Sequence, residues 1–307
     1  MLRQISFFII VLVLGCPLIV AMPVKAAETV TPKSVAQEIV TDQIETDQIV
    51  TDQIDRAGRQ RMLVQKIGRA ACYVLGDIEK DKHQKMAMDG IAEFSNVQKW
   101  LRNGHPIQQW PAATDAALIA NLDDVDRVWG ALKAADSQLA YGDFHTIVVH
   151  QVLSLTDTVM AAANETVKTL SGLIDVGPFD STYVKTLDVA GRQRMLTQRA
   201  TKEFCFAALI SDTADHRIIL AQTMDEFERV LDNLLTGQDG LMEPPNILIK
   251  AQLERTQRTW VQLAALFELI KDSQNVTKEQ MNEVAALSDK VLFQMNAAVH
   301  AYATLRP

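Results

Sequence analysis

The chain has 307 residues, 48% of them apolar but only 6% aromatic, with nine prolines and thirteen glycines. That composition favours long helices around a sizeable core over many short strands. The net charge is −8, and this acid surplus excludes nucleic-acid binders, whose affinity rests on many Lys and Arg contacts to phosphate.

The first residues read as a secretory leader, residues 1–26. Arg3 supplies the positive start, Phe7 to Val20 the apolar run, and Val24-Lys25-Ala26 the small-residue cleavage pattern. An uncleaved anchor and lipid attachment at Cys16 are the alternatives, the latter opposed by the apolar residues that follow Cys16. Losing the leader removes Arg3 and Lys25 and takes the charge to −10. No later apolar run approaches the roughly 20 residues that a spanning helix needs. The expectation is a periplasmic or secreted protein that meets a membrane only through its leader or anchor.

A lead-in follows over residues 27–50. It includes most of the pentad TDQIE-TDQIV-TDQID (Thr41–Asp55), whose five-residue period drifts around a helix and makes no single stripe. The pentad is either a helical extension or a frayed lead-in. Helix A is predicted from about residue 36 or later to Leu75, with a turn near Asp77–Lys82. Helix B ends at Gly104, a left-handed cap; His105–Ala113 is a loop, and Thr114-Asp115 opens helix C. Tyr141-Gly142-Asp143 breaks the chain before helix D.

At this point the sequence repeats. AGRQRML occurs at Ala57–Leu63 and again at Ala190–Leu196, an offset of 133 that also pairs Asp55 with Asp188, Gln65 with Gln198 and Cys72 with Cys205. FSNVQKWLRNG (Phe94–Gly104) lies over FERVLDNLLTG (Phe227–Gly237) without a gap, Trp129 over Trp260, and LTDTVMAAAN (Leu155–Asn164) over LSDKVLFQMN (Leu287–Asn296). Four anchors in one order indicate a tandem duplication. The second copy is predicted to run helix A from about Ser181, helix B to Gly237, a Gly/Pro loop through Pro245, helix C with Trp260, and helix D behind a capping box at Thr277 and Gln280. The expected fold is all-α: two tandem up-down four-helix bundles, residues 51–172 and 183–307, joined by a linker over 173–182.

On helix A, Gly58, Arg61, Gln65, Gly68 and Cys72 fall within about 80° of one another in a small, polar stripe, and the core-facing positions are expected to be Ile54, Met62, Ile67, Ala70 and Val74. The second copy presents Gly191, Arg194, Gln198, Thr201 and Cys205. A helical glycine costs about 1 kcal/mol against alanine, so close approach of a backbone or ligand should compensate. Arg59 and Arg192 have Asp55 and Asp188 four residues earlier, an ordinary helical ion pair. Arg61 and Arg194 have no acid three or four residues away. They either pair with acids on other helices, such as Asp124, Asp126 or Asp157, or hold an oxyanion, which guanidinium suits through its parallel donors.

IDRAGRQRMLVQKIGRA and LDVAGRQRMLTQRATKE resemble the opening helix of the PilJ-type domain of type IV pilus chemotaxis transducers. They are also similar to the P-box helix of bacterial nitrate/nitrite sensor kinases. The resemblance covers roughly residues 50–170 and 183–305 and is strong only in helix A. It implies a sensory four-helix bundle in which the P-box arginines of two subunits share one small anion. By motif position those arginines match Arg61 and Arg194, and the glycines match Gly58 and Gly191. This chain has Arg-Gln at the two positions between them, which adds Arg59 and Arg192 and leaves nitrate specificity open. The expected ligand-binding set is Arg61, Arg194, Arg59, Arg192, Gly58, Gly191, Gln65 and Gln198. A tandem chain would build from one molecule what the kinases build from two, Arg61 facing Arg194 across a pseudo-twofold axis.

Cys72 and Cys205 lie 11 residues past their motif arginines. A disulfide is possible if the two helices A run side by side; two free buried thiols are the favoured reading, because crossing helices separate quickly. The six histidines are expected at surface or boundary positions, and no metal-ligand, phosphate-loop or nucleophile motif occurs. Trp129 and Trp260 are expected in the core. The expectation is a non-catalytic sensory module with no cofactor or metal. It binds a small oxyanion, nitrate or nitrite first, and passes its state to a membrane sensor or transporter. The alternative is a structural or protein-interaction module without a small ligand.

Overall fold

The computed structural model describes residues 32–140, 146–173, 181–210, 214–270 and 276–305. Contacts divide the chain into residues 1–42 and a body of residues 43–307, and the side-chain contacts below all belong to the body. The leader, the break at Tyr141-Gly142-Asp143 and most of the linker lie outside the described residues.

Among the described residues eight α-helices follow in order: α1 (Pro32–Leu75), α2 (Lys80–Asn103), α3 (Ala116–Ala140), α4 (Thr146–Leu173), α5 (Ser181–Leu209), α6 (Ala214–Thr236), α7 (Ile247–Phe267) and α8 (Lys278–Ala303). Apart from one bridge between His105 and Trp110, no strand occurs among the described residues. Helix α1 runs unbroken through Thr41–Asp55, so the pentad is a helical extension.

The helix ends follow local chemistry. Gly104 takes φ 81° and donates its N–H to Trp100 O at 2.8 Å, which closes α2 in a conformation that a side chain would strain. Asp115 accepts the N–H of Leu118 at 2.8 Å at the start of α3. Thr277 and Gln280 form the reciprocal capping box of α8. The first turn is shorter than expected: α2 starts at Lys80, and Asp77 (φ 52°) and Glu79 (φ 39°) supply the left-handed residues without glycine.

In the second copy α5 packs on α6 and α8, and α7 on α6 and α8, a closed four-helix ring; in the first, α3 packs on α2 and α4. Each copy buries the same aromatic stack, Phe94 on Trp129 at 3.9 Å and Phe227 on Trp260 at 3.7 Å. Truncating one of these phenylalanines to alanine is worth about 3–5 kcal/mol.

One apolar cluster runs through both copies, from Met62 and Trp129 to Phe204 and Trp260. A smaller one around Ile54, Leu101, Trp110 and Val167 belongs to the first copy. The continuity has a cause in α1 and α5. Ile54, Met62, Ile67, Ala70 and Val74 are buried as expected, but so is the polar stripe of Arg61, Gln65 and Cys72. A helix buried all round must have neighbours on every side. For α1 and α5 the extra neighbour is the other copy.

Candidate functional site

Helices α1 and α5 run parallel, back to back, and three layers of contacts tie them. The first is a crossed pair of ion bridges. Arg61 Nη2 donates to Asp188 Oδ1 at 2.5 Å, and Arg194 Nη2 donates to Asp55 Oδ1 at 2.7 Å. Side chains on a helix lean toward its N-terminus, so each long arginine reaches the aspartate that opens the motif on the neighbouring helix. Arg61 and Arg194 are both 3% exposed as side chains, while Asp188 and Asp55 keep 33% and 21%. Burial pushes the Arg194 guanidinium below its ordinary range, and Asp55 opposes that shift.

The glycines now have a reason. A Cβ on Gly58 would sit 3.2 Å from Arg61 Nη2 and 3.9 Å from Arg194 Nη2, so both guanidiniums converge on that point; on Gly191 it would sit 3.3 Å from Arg194 Nη2. The missing side chains make room for the arginines themselves. Arg61 Nη1 also donates to Asn164 Oδ1 at 3.0 Å, whereas the equivalent Asn296 Oδ1 is buried without a partner.

The second layer was not singled out by sequence reasoning. Arg69 Nη1, fully buried, donates to Asp289 Oδ1 at 2.8 Å and to Gln198 Oε1 at 3.0 Å. The duplicate of Arg69 is Lys202, whose Nζ lies 3.6 Å from Asp157 Oδ1 and 3.0 Å from Glu203 Oε1. Asp157 and Asp289 occupy the same place in the repeated LTDTV and LSDKV strings, the one signal that pointed to this crossing. Gln65 Nε2 donates to Asp157 Oδ1 at 3.4 Å and Gln198 Nε2 to Ser288 Oγ at 3.3 Å, so both glutamines serve this layer. Gly68 admits the Lys202 stem, whose Cδ would lie 3.0 Å from a Cβ there.

The third layer is covalent: Cys72 and Cys205 are disulfide-bonded across 133 residues with Cα atoms 6.2 Å apart. The favoured reading of two free thiols is therefore corrected. The parallel course of α1 and α5 keeps equivalent positions adjacent instead of letting them diverge.

Three further expectations change. Arg59 and Arg192 do not pair with Asp55 and Asp188; they turn away from the α1–α5 contact to Glu93 and Glu226 within their own bundles, the second at 2.7 Å. Asp124 and Asp126 do not meet Arg61 or Arg194; they pair with Arg127 and Arg102. His83 is no surface residue. It is fully buried against the Tyr73 ring at 4.5 Å, neither ring nitrogen has a partner, and burial pushes its pKa down to about 4.

Beside Asp188 a groove of about 360 Å3 opens between the end of α4 and the start of α5, floored by Val167 and Val184 and flanked by Lys168 and Lys185. Among the described residues no group of His, Cys, Asp or Glu is arranged to hold a metal, and no helix is long and apolar enough to cross a membrane.

No curated protein matches the chain. A sequence profile of the PilJ family, described as the N-terminal part of type IV pili methyl-accepting chemotaxis transducers, matches residues 45–153 and 184–287. Each stretch contains one AGRQRML string with its crossed arginine, Arg61 or Arg194. The chain belongs to this chemotaxis-transducer family and carries its N-terminal domain twice in tandem.

Proposed function

We propose that this chain is an exported, non-catalytic sensory module that works as an interaction protein. Its two copies are clasped into an intramolecular pseudo-dimer, and it reports to a membrane sensor or transporter. The observation that carries this reading is the crossed pairing of Arg61 with Asp188 and Arg194 with Asp55. Each guanidinium is already neutralised by a carboxylate tethered within the same molecule. Breaking a buried pair by removing one partner typically costs about 3–5 kcal/mol, which suits a structural clasp. Export is supported by the leader-like start and by the Cys72–Cys205 bond, since disulfides persist in oxidising compartments.

A second reading keeps the arginines as a receptor site for a small oxyanion, nitrate or nitrite first. Two observations favour it. A carboxylate and nitrate offer guanidinium the same planar pair of oxygens, and Asp188 lines an open groove into which it could swing. In this reading the oxyanion replaces Asp188 on Arg61, with Gly58, Gly191, Arg194, Gln65 and Gln198 around it and Arg59 and Arg192 outside.

One experiment separates the two. Thermal unfolding of the mature protein is followed with nitrate, nitrite, sulfate, phosphate and acetate at matched ionic strength. The clasp reading expects no anion-specific shift and a large loss of stability in Arg61→Ala and Arg194→Ala. A rise of several degrees with one anion, abolished in both variants, overturns it in favour of the receptor.

A further inference from the structure

Helices α3 and α7 are duplicates, and among the described residues both pack within their own bundles, on α2 and α4 or on α6 and α8. Their outer faces therefore allow an internal comparison in which only the side chains differ. At an offset of 131, the outward row Ile247, Ala251, Val261 and Ala265 of α7 corresponds to Ala116, Ala120, Gly130 and Ala134 of α3. Ile247 is 75% exposed, Leu248 76% and Val261 62%. The α3 row is exposed as well, and a Cβ on Gly130 would meet nothing within 4 Å. Around an acid and an arginine that both faces share (Glu254 and Arg258, Asp123 and Arg127), one carries large apolar knobs and the other small residues.

Charge has diverged the same way. On α7, Lys250, Arg255 and Arg258 are exposed and make no ion pair among the described residues. On α3, Lys250 is replaced by Ile119, Arg255 by Asp124 and Gln257 by Asp126, while Arg258 keeps its charge as Arg127 and Glu254 as Asp123. There, among the described residues, Asp123, Asp124 and Asp126 pair with Arg102 and Arg127. In a protein of net charge −8, a basic apolar face is set against an acidic face of small residues.

We infer that the α7 face of one molecule docks on the α3 face of a second copy of this chain, knobs on small residues and cations on carboxylates. The contact is heterologous, because each molecule offers one face of each kind. It leaves a free α3 at one end and a free α7 at the other, the arrangement that builds open-ended chains or closes into rings. Two single-helix faces bury on the order of 1,000 Å2, the low end for specific interfaces, so the association is weak and reversible. The inference goes beyond the clasp reading and uses none of its residues.

The test is sedimentation velocity of the mature protein from about 5 to 200 µM, in low salt and in about 0.5 M salt, where surface charges are screened. The expected result is a weight-average mass that rises with concentration and falls back toward the monomer in high salt. Val261→Asp on α7 and Gly130→Trp on α3 each abolish the rise, as do Arg255→Glu with Arg258→Glu, and Asp123→Lys with Asp124→Lys. These sites are exposed, so circular dichroism and thermal midpoint stay near the parent values. Mixing the two charge-reversed proteins restores association, since the acidic α7 of one now meets the basic α3 of the other. A monomer at every concentration, association that survives both single substitutions, or a mixture that stays monomeric overturns the inference.

Discussion

The two copies place the same histidine in contrasting surroundings, buried in the first and half-buried in the second. In the first, His83 packs at a tilt against Tyr73, Ala70 stands at the position equivalent to Glu203, and neither ring nitrogen is satisfied. In the second, the equivalent His216 stacks on Phe206 and its Nδ1 meets Glu203 Oε2 at 2.6 Å, while the same carboxylate holds Lys202. Burial alone pushes the Glu203 carboxyl up, but Lys202 and His216 together carry it below the ordinary carboxylate range. Duplication preserved the frame and let the polar filling drift. One half seals its histidine neutral; the other sets it against a carboxylate that also holds a lysine.

The largest effect should come from cutting the bond between the halves. Cys72→Ala with Cys205→Ala releases a loop of 133 residues and should cost about 3–5 kcal/mol by loop-closure entropy. Urea denaturation reads the loss. One transition means the halves are a single cooperative unit, and two would dissolve the comparison into independent domains. Next come Arg61→Ala and Arg194→Ala, each expected to lose about 3–5 kcal/mol. Arg61 should lose more, by about 1 kcal/mol, because it alone bonds its copy's asparagine. Equal losses would leave that asymmetry without energetic meaning.

His83→Phe sharpens the contrast directly. It removes two unsatisfied buried nitrogens and should stabilise by about 1–2 kcal/mol near pH 7. The folded pKa of about 4 lies below the unfolded value of 6.5. Between them the unfolded chain binds the proton more readily, so the parent loses stability as the pH falls through that window. At pH 4.5 this amounts to about 2–3 kcal/mol, and the gap between variant and parent should widen by that much. A gap constant with pH would show that His83 is not held neutral. The smallest effect belongs to Arg192→Ala, whose exposed pair with Glu226 should be worth under about 1 kcal/mol by chemical denaturation.

Much of the architecture was legible because it is local. AGRQRML repeated in register announced the duplication, Gly104 and Gly237 end their helices at positive φ, and Thr277 with Gln280 carry the capping box. The crossing was not legible for a physical reason. Asp55 stands four residues before Arg59, so helical spacing offered a satisfying partner that the folded chain does not use. The real partner lies on another helix, 139 residues away in the case of Arg194 and Asp55. The glycines were recognised as space-makers, but periodicity could not say whether the space held a ligand or the arginines. The second layer escaped because Lys202 replaces Arg69 and Glu203 replaces Ala70, which hides the duplication where the two copies interlock.

The sulfur bridge also changes what a broken backbone would mean. It joins the last third of α1 to the last third of α5, so most of the first copy sits inside a covalent ring. A peptide bond hydrolysed anywhere between Cys72 and Cys205 opens that ring without releasing a fragment. Such a nicked molecule keeps its full mass under denaturing, non-reducing conditions and separates into two pieces only when a thiol reductant is added.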